Sequence, residues 1–168
     1  YPSATESFSL EYYKRVLELA DRYGLGIHTH MAQNSIDVER AHDLYGMSSI
    51  QSLAGAGLPD KRPMSAHCPY LGPKDFALMA EHGPHFVHCP AIINKRGETA
   101  DTWGALKAGV NVCLGTDNMF EDMIDSMRMA VTQARIRSGR PDCVKPLDAL
   151  KMATINGARA IGMERDLG

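Results

Sequence analysis

The sequence predicts an α/β fold of consecutive βα units on a parallel sheet, amounting to half of a (β/α)8 barrel. Two observations predict it: four short apolar runs alternate with helical patterns, and each run ends in a polar residue able to do chemistry. Those residues are His30, His67, His88 and Asp117. A (β/α)8 barrel opens its active site at the C-terminal ends of its strands. Four successive runs that deliver such groups to one face are hard to explain by packing alone.

Taken in order, Tyr12, Val16, Leu17, Leu19, Ala20 and Tyr23 recur at three- and four-residue steps and predict a first helix, ended by Gly24. Residues 25–30 read as a strand. Asn34 or Ser35 caps a second helix that runs to Tyr45 and stops at Gly46. Residues 64–68 form the second strand, followed by a helix entered at Pro73 and closed near Gly83. Residues 85–89 form the third, with a helix over 99–108. Residues 110–117 form the fourth, followed by helices over 122–137 and 146–161. Four strands do not close a barrel whose usual size is about 250 residues. Residues 1–168 are therefore expected to be a single partial domain, the C-terminal part of a longer chain's catalytic barrel.

With 23% charged residues and a formal charge of -2, the chain lacks the concentrated basic surface that nucleic acid or an anionic membrane would require. No apolar run approaches the ~18–20 residues needed to span a bilayer. The opening Tyr1-Pro2-Ser3-Ala4-Thr5-Glu6 lacks the basic and apolar regions of a signal peptide. Cys68, Cys89, Cys113 and Cys143 contain no C-x-x-C pair and are expected to be reduced core thiols, in keeping with a cytoplasmic location.

His28-Thr29-His30 places two imidazoles on one strand face. His30 is the candidate metal ligand and His28 a packed neighbour. His67 closes the next strand in the same phase. Asp117, within Leu114-Gly115-Thr116-Asp117-Asn118, is the sharpest candidate. A hydrolytic metal takes nitrogen and oxygen ligands and keeps one position for water, and a carboxylate beside that water can accept its proton.

The succession His30-Met31-Ala32-Gln33, Ala66-His67-Cys68, His88-Cys89-Pro90 with Asn94, and Leu114-Gly115-Thr116-Asp117 resembles H-x-x-E, A-H-C, H-[NC]-P-x-x-N and L-G-T-D, with Asn94 one residue later than the third pattern places it. That order is similar to the amidohydrolase superfamily, in the branch of the triazine chlorohydrolases, guanine and cytosine deaminases and methylthioadenosine/adenosylhomocysteine deaminases. The family's first strand carries an H-x-H, but His28 and His30 do not fit there. The 87 residues from His30 to Asp117 suit three βα units of about 30 each. Spread over seven units they would leave about 12 each, too few for a strand plus a helix. The four strands are thus expected to be strands five to eight of a TIM barrel.

The resemblance implies one divalent ion, zinc favoured over iron, held by His30 and Asp117 together with ligands outside this sequence. Asp117 would also take a proton from the attacking water, and His67 would hydrogen-bond the nucleophile or substrate. His88 and Asn94 would shape the pocket, with Asn118 beside it. The implied reaction is attack of a metal-bound hydroxide on an electron-poor carbon of a small nitrogen heterocycle or cyclic amide, expelling amine, ammonia or halide. A homo-oligomer is expected of the full-length form. Gln33 departs from the family's Glu: an amide cannot titrate, so it orients rather than shuttles protons. Two other readings fit the same residues. One is a hydrolase of non-aromatic cyclic amides or amidines; the other is an inactive barrel kept as a binding module. Met119, Met123, Met127 and Met129 read as core filler, and Arg135, Arg137 and Arg140 as a solvated helix end.

Overall fold

Four strands, β1 (His28–Met31), β2 (Met64–His67), β3 (His85–His88) and β4 (Val112–Leu114), pair in parallel in the order β1-β2-β3-β4. The expected order and sense are therefore observed. His30 lies opposite Ala66, Met31 opposite His67, and Val87 opposite Cys113. The computed structural model describes residues 3–55, 57, 63–119 and 121–167.

Helix α1 (Leu10–Tyr23) precedes the sheet, and α2 (Ser35–Tyr45) and α3 (Ser49–Gly55) join β1 to β2. Helix α4 (Pro73–His82) joins β2 to β3, and α5 (Pro90–Lys95) and α6 (Thr102–Lys107) join β3 to β4. Helices α7 (Met123–Ser138), α8 (Pro146–Ala153), α9 (Ile155–Ala160) and α10 (Glu164–Leu167) follow. The caps read from sequence do what was expected of them. Asn34 accepts from Asp37 N–H at 2.9 Å, and Gly46 ends α2 with φ 67°, a conformation glycine adopts without a Cβ clash.

Several boundaries need correction. β1 starts three residues later than expected and runs one further, to Met31 before the left-handed Ala32, and β3 stops one residue early. β2 ends where the chain turns left-handed at His67 and Cys68, and β4 stops at Leu114, before the left-handed Asp117. The helix expected over 99–108 begins at Thr102, where the Asp101 side chain accepts from Gly104 N–H. The helix expected over 146–161 is broken at Thr154, whose φ of -129° and ψ of -97° lie outside the helical region. Helices α3 and α5 are additions, each too short to display an amphipathic stripe. On α1 the buried anchor is Tyr13, while Tyr12, Leu19 and Tyr23 stay exposed.

The sheet has two different faces. On one, Met31, Phe86, Val112 and Leu114 pack with Tyr13, Leu53, Phe76, Met79 and Met152 in the main core. On the other, Ala66, Val87, Cys89 and Cys113 form a cluster of mostly small side chains. The second face is the inner face of a partial barrel, and its small residues leave space at the strand ends. A Cβ on Gly115 would sit 3.2 Å from both Cys89 Sγ and Val87 Cγ1, so glycine keeps β4 close to β3 there. Among the described residues, no helix is long and apolar enough to cross a membrane.

Candidate active site

Strand alternation decides which side chains reach the inner face. His28 and His30 lie on it, opposite Met64 and Ala66. Simple alternation puts His67 with Ser65 and Met31, on the helix-facing side. The backbone overrides this. Consecutive left-handed residues at His67 (φ 74°) and Cys68 (φ 51°) swing the imidazole inward, where it stacks on His30 with centroids 5.0 Å apart and planes 12° apart. Non-glycine residues in this region cost about 1–3 kcal/mol each and cluster at functional sites.

Asp117, itself left-handed at φ 57°, completes the group: its Oδ2 lies 3.7 Å from His67 Nε2. That is too long for a direct hydrogen bond. The two groups therefore face each other across a gap rather than pairing directly. Cys89 joins them, so that His67, Cys89 and Asp117 each bring a donor atom to within 4.8 Å of the others. The His67 side chain is 2% exposed and that of Asp117 24%, which leaves the carboxylate reachable from solvent. The backbone N–H of Asn118 donates to Asp117 Oδ1 at 2.6 Å, so Asn118 steadies the carboxylate through its main chain.

The electrostatics suit metal ligation by nitrogen and oxygen. Burial, with His30 nearby, drives the His67 pKa down to about 4 against the opposing pull of Asp117. The ring is therefore neutral at pH 7, the form a metal ligand or hydrogen-bond acceptor needs, and its buried Nδ1 has no hydrogen-bond partner. His30 Nδ1 contacts the Ser3 carbonyl. A carbonyl only accepts, so Nδ1 donates in this contact, the kind of hydrogen bond that orients the ring of a metal-binding histidine. Burial and the Asp117 charge push the Cys89 thiol up to about 12, making it the poorest ligand of the set. The donors present thus fit a divalent ion. The tight three-membered group pairs Asp117 with His67 and Cys89, and His30 joins it through the ring stack.

The other expected site residues divide. Gln33 follows the left-handed Ala32 and is half-buried beside the mouth. With its amide oxygen turned toward Arg96, it accepts from Nη1 at 3.0 Å and Nη2 at 2.7 Å. Asn94 is exposed, and its Oδ1 accepts from Gln133 Nε2 at 2.6 Å. His88 is placed differently from the pocket-lining position expected of it. It shares the helix-facing side with Phe86, fully buried, ring edge-on to Phe86 at 5.9 Å. Because α7 covers that side, His88 lies behind the site. Sequence reasoning missed Cys89, Arg96 and Glu6. Glu6, 1% exposed, accepts from the N–H of Ala32 at 2.9 Å and from the Ser49 hydroxyl, and so clamps the turn that presents Gln33. Only Cys89 had a readable signal, its alternation with Val87.

Burial, then the neighbouring His67, lowers the His88 pKa to about 3. A depressed folded-state value means that His88 contributes stability above its unfolded pKa of about 6.5, and that this is lost as pH falls toward 3. His88→Asn should therefore flatten the loss of thermal stability between pH 7 and pH 4 by ~3 kcal/mol. Thermal unfolding across that range checks it, and parallel curves for the two proteins would refute it.

A parallel α/β sheet brings histidine and aspartate together at its C-terminal edge, the end at which (β/α)8 barrels carry their active sites. The model of the amidohydrolase family matches residues 1–168, and the chain belongs to that family. It is 36% identical over 172 residues to the 5-methylthioadenosine/S-adenosylhomocysteine deaminase of Moorella thermoacetica, covering 99% of this chain and 40% of that protein. An adenosine deaminase from Xanthomonas campestris with bound zinc superposes with a TM-score of 0.93 at 27% identity, covering 99% of this chain and 39% of that one. A mutant of the atrazine chlorohydrolase TrzN from Arthrobacter aurescens TC1, complexed with zinc and atraton, shares the fold. Its TM-score is 0.89 at 24% identity, with 99% of this chain and 38% of that one covered. The chain spans about 40% of the length of the curated relatives it matches.

Proposed function

We propose that the full-length protein hydrolyses the bond between an electron-poor ring carbon of a nitrogen heterocycle and its leaving group, with an amine as the leaving group. The convergence of His30, His67 and Asp117 at the ends of parallel strands carries this reading. The deaminase names of the relatives agree with it. The four strands would be strands five to eight of the barrel. Two observations at β1 support neighbours on that side: the Ser3–Ala4 segment runs parallel along its outer edge, and Tyr12, Leu19, Tyr23 and Leu25 lie exposed on that flank.

His30 and Asp117 would hold a divalent ion, and the zinc in the Xanthomonas enzyme favours zinc. When bound, such an ion supplies Lewis acidity and lowers the pKa of water toward ~7. Asp117, reachable and anchored by Asn118, takes the proton of the attacking water and is the group placed to pass it on. Neutral His67 orients the nucleophile or substrate from within the buried wall. Gln33 offers a fixed amide where a carboxylate would titrate, so protonation of the leaving group falls to Asp117 or His67. A second reading, hydrolysis of non-aromatic cyclic amides or amidines, is favoured by that same Gln33 amide. The unpaired cysteines support a cytoplasmic location, and a homo-oligomer is proposed for the full-length form.

Elemental analysis of the full-length protein in non-chelating buffer should give about one divalent ion per barrel. Ammonia release from adenosine-type substrates should depend on that ion. Stoichiometric metal without turnover on aminated rings would favour the cyclic amide reading, whereas absence of both would leave a binding module.

A further inference from the structure

Arg96 follows α5, on the loop beyond β3, and its guanidinium reaches to the residues that follow β1. Its Nη1 donates to the backbone carbonyl of Gln33 at 3.3 Å, and its two terminal nitrogens meet the Gln33 side-chain oxygen at 3.0 and 2.7 Å. The contact therefore bridges the strands that flank β2, across the end where His67 sits. Among the described residues, no carboxylate lies within ion-pair distance of this guanidinium. Gln33 satisfies some of its five N–H donors but leaves its charge whole. A glutamate here would have cancelled it. The result is a held, exposed and uncompensated cation beside the mouth.

We propose that Arg96, oriented by the neutral amide of Gln33, recognises an anionic substituent on the substrate, a carboxylate or a phosphate carried by the heterocycle. Planar guanidinium suits both groups because two N–H donors can meet two oxygens at once. Gln33 is on this view a positioning residue: it holds the fork in place and preserves its charge. The inference rests on the proposed hydrolase site, and it names the substrate class of that site. The competing account is a strap in which Arg96 merely ties two loops together. The two differ for Gln33→Glu, which keeps or strengthens a strap but neutralises an anion site.

The test uses the zinc-loaded full-length protein and oxo-heterocycles that carry no leaving amine, in two pairs matched except for charge. Uracil with orotate probes a ring carboxylate, and inosine with inosine 5′-monophosphate probes a phosphate. Binding is read by calorimetry at low salt. At least one anion should bind about 10-fold more tightly than its neutral partner, the scale of one charge-assisted contact. Gln33→Glu and Arg96→Gln should each bring that ratio to within about two-fold, with Arg96→Lys retaining part of it. Equal binding within both pairs, or no binding by any probe, overturns the proposal. So does a preference that survives in both variants, since an anion drawn by the metal alone would behave in that way. Turnover of neutral aminated rings without a charge preference would leave the hydrolase reading standing and remove only this inference. Anion binding that depends on Arg96 in a protein without turnover would do the reverse.

Discussion

On the proposed function, Asp117→Asn is expected to lower kcat/KM of the full-length protein by about 10³-fold or more, the scale associated with losing a general base and an electrostatic partner together. The substitution is chosen for its backbone. Asp117 sits at φ 57°, a region that asparagine enters more readily than other residues with a side chain. The variant can keep the turn and the hydrogen bond from Asn118 N–H while losing the negative charge and the capacity to accept a proton. Unfolding temperature should thus change little, while bound metal falls below one ion per barrel. Asp117→Ala would confuse the two effects, since it removes charge and adds a poorly tolerated left-handed alanine. Steady-state kinetics with elemental analysis on the same preparation checks the prediction. An Asp117→Asn protein within about 10-fold of wild type would remove Asp117 from the chemistry.

Much of this architecture was legible in the sequence because it rests on local signals. Asn34, Gly46, Pro73 and Gly83 mark helix ends through capping and left-handed turns, and those ends fall where expected. The strand order followed from the regular spacing of βα units. The inward or outward facing of each side chain was less legible, because it depends on backbone torsions that the pattern does not encode. His67 belongs by alternation with Met31 and Ser65, and only the pair of left-handed residues at 67 and 68 turns it to His30. His88 has no such turn, keeps the alternation of Phe86, and so stays behind the sheet. Glu6 was invisible for another reason. Its partners Ala32 and Ser49 lie 26 and 43 residues away, and a lone glutamate in an exposed-looking N-terminal segment has no periodic signature.

His67 should be the second most costly residue to change, and its two natural replacements should differ in an informative way. His67→Asn keeps a residue suited to the left-handed backbone, whereas His67→Ala does not. Both remove the imidazole that faces Asp117 across 3.7 Å and stacks on His30. Loss of a positioned hydrogen-bonding group at the reacting centre should lower kcat by about 10²-fold or more in both variants. KM should move far less, because an interaction made mainly in the transition state contributes little to substrate binding. The variants should part on stability: His67→Ala leaves a non-glycine strained turn and an emptied buried site, for about 2 kcal/mol or more. His67→Asn should lose less. Kinetics and chemical denaturation of the two proteins separate the contributions. If kcat tracks stability, falling in His67→Ala and recovering in His67→Asn, then His67 supports the strand end and does no chemistry. If both lose activity alike while only the alanine variant is destabilised, the ring itself is needed, and the unusual backbone at His67 exists to deliver it.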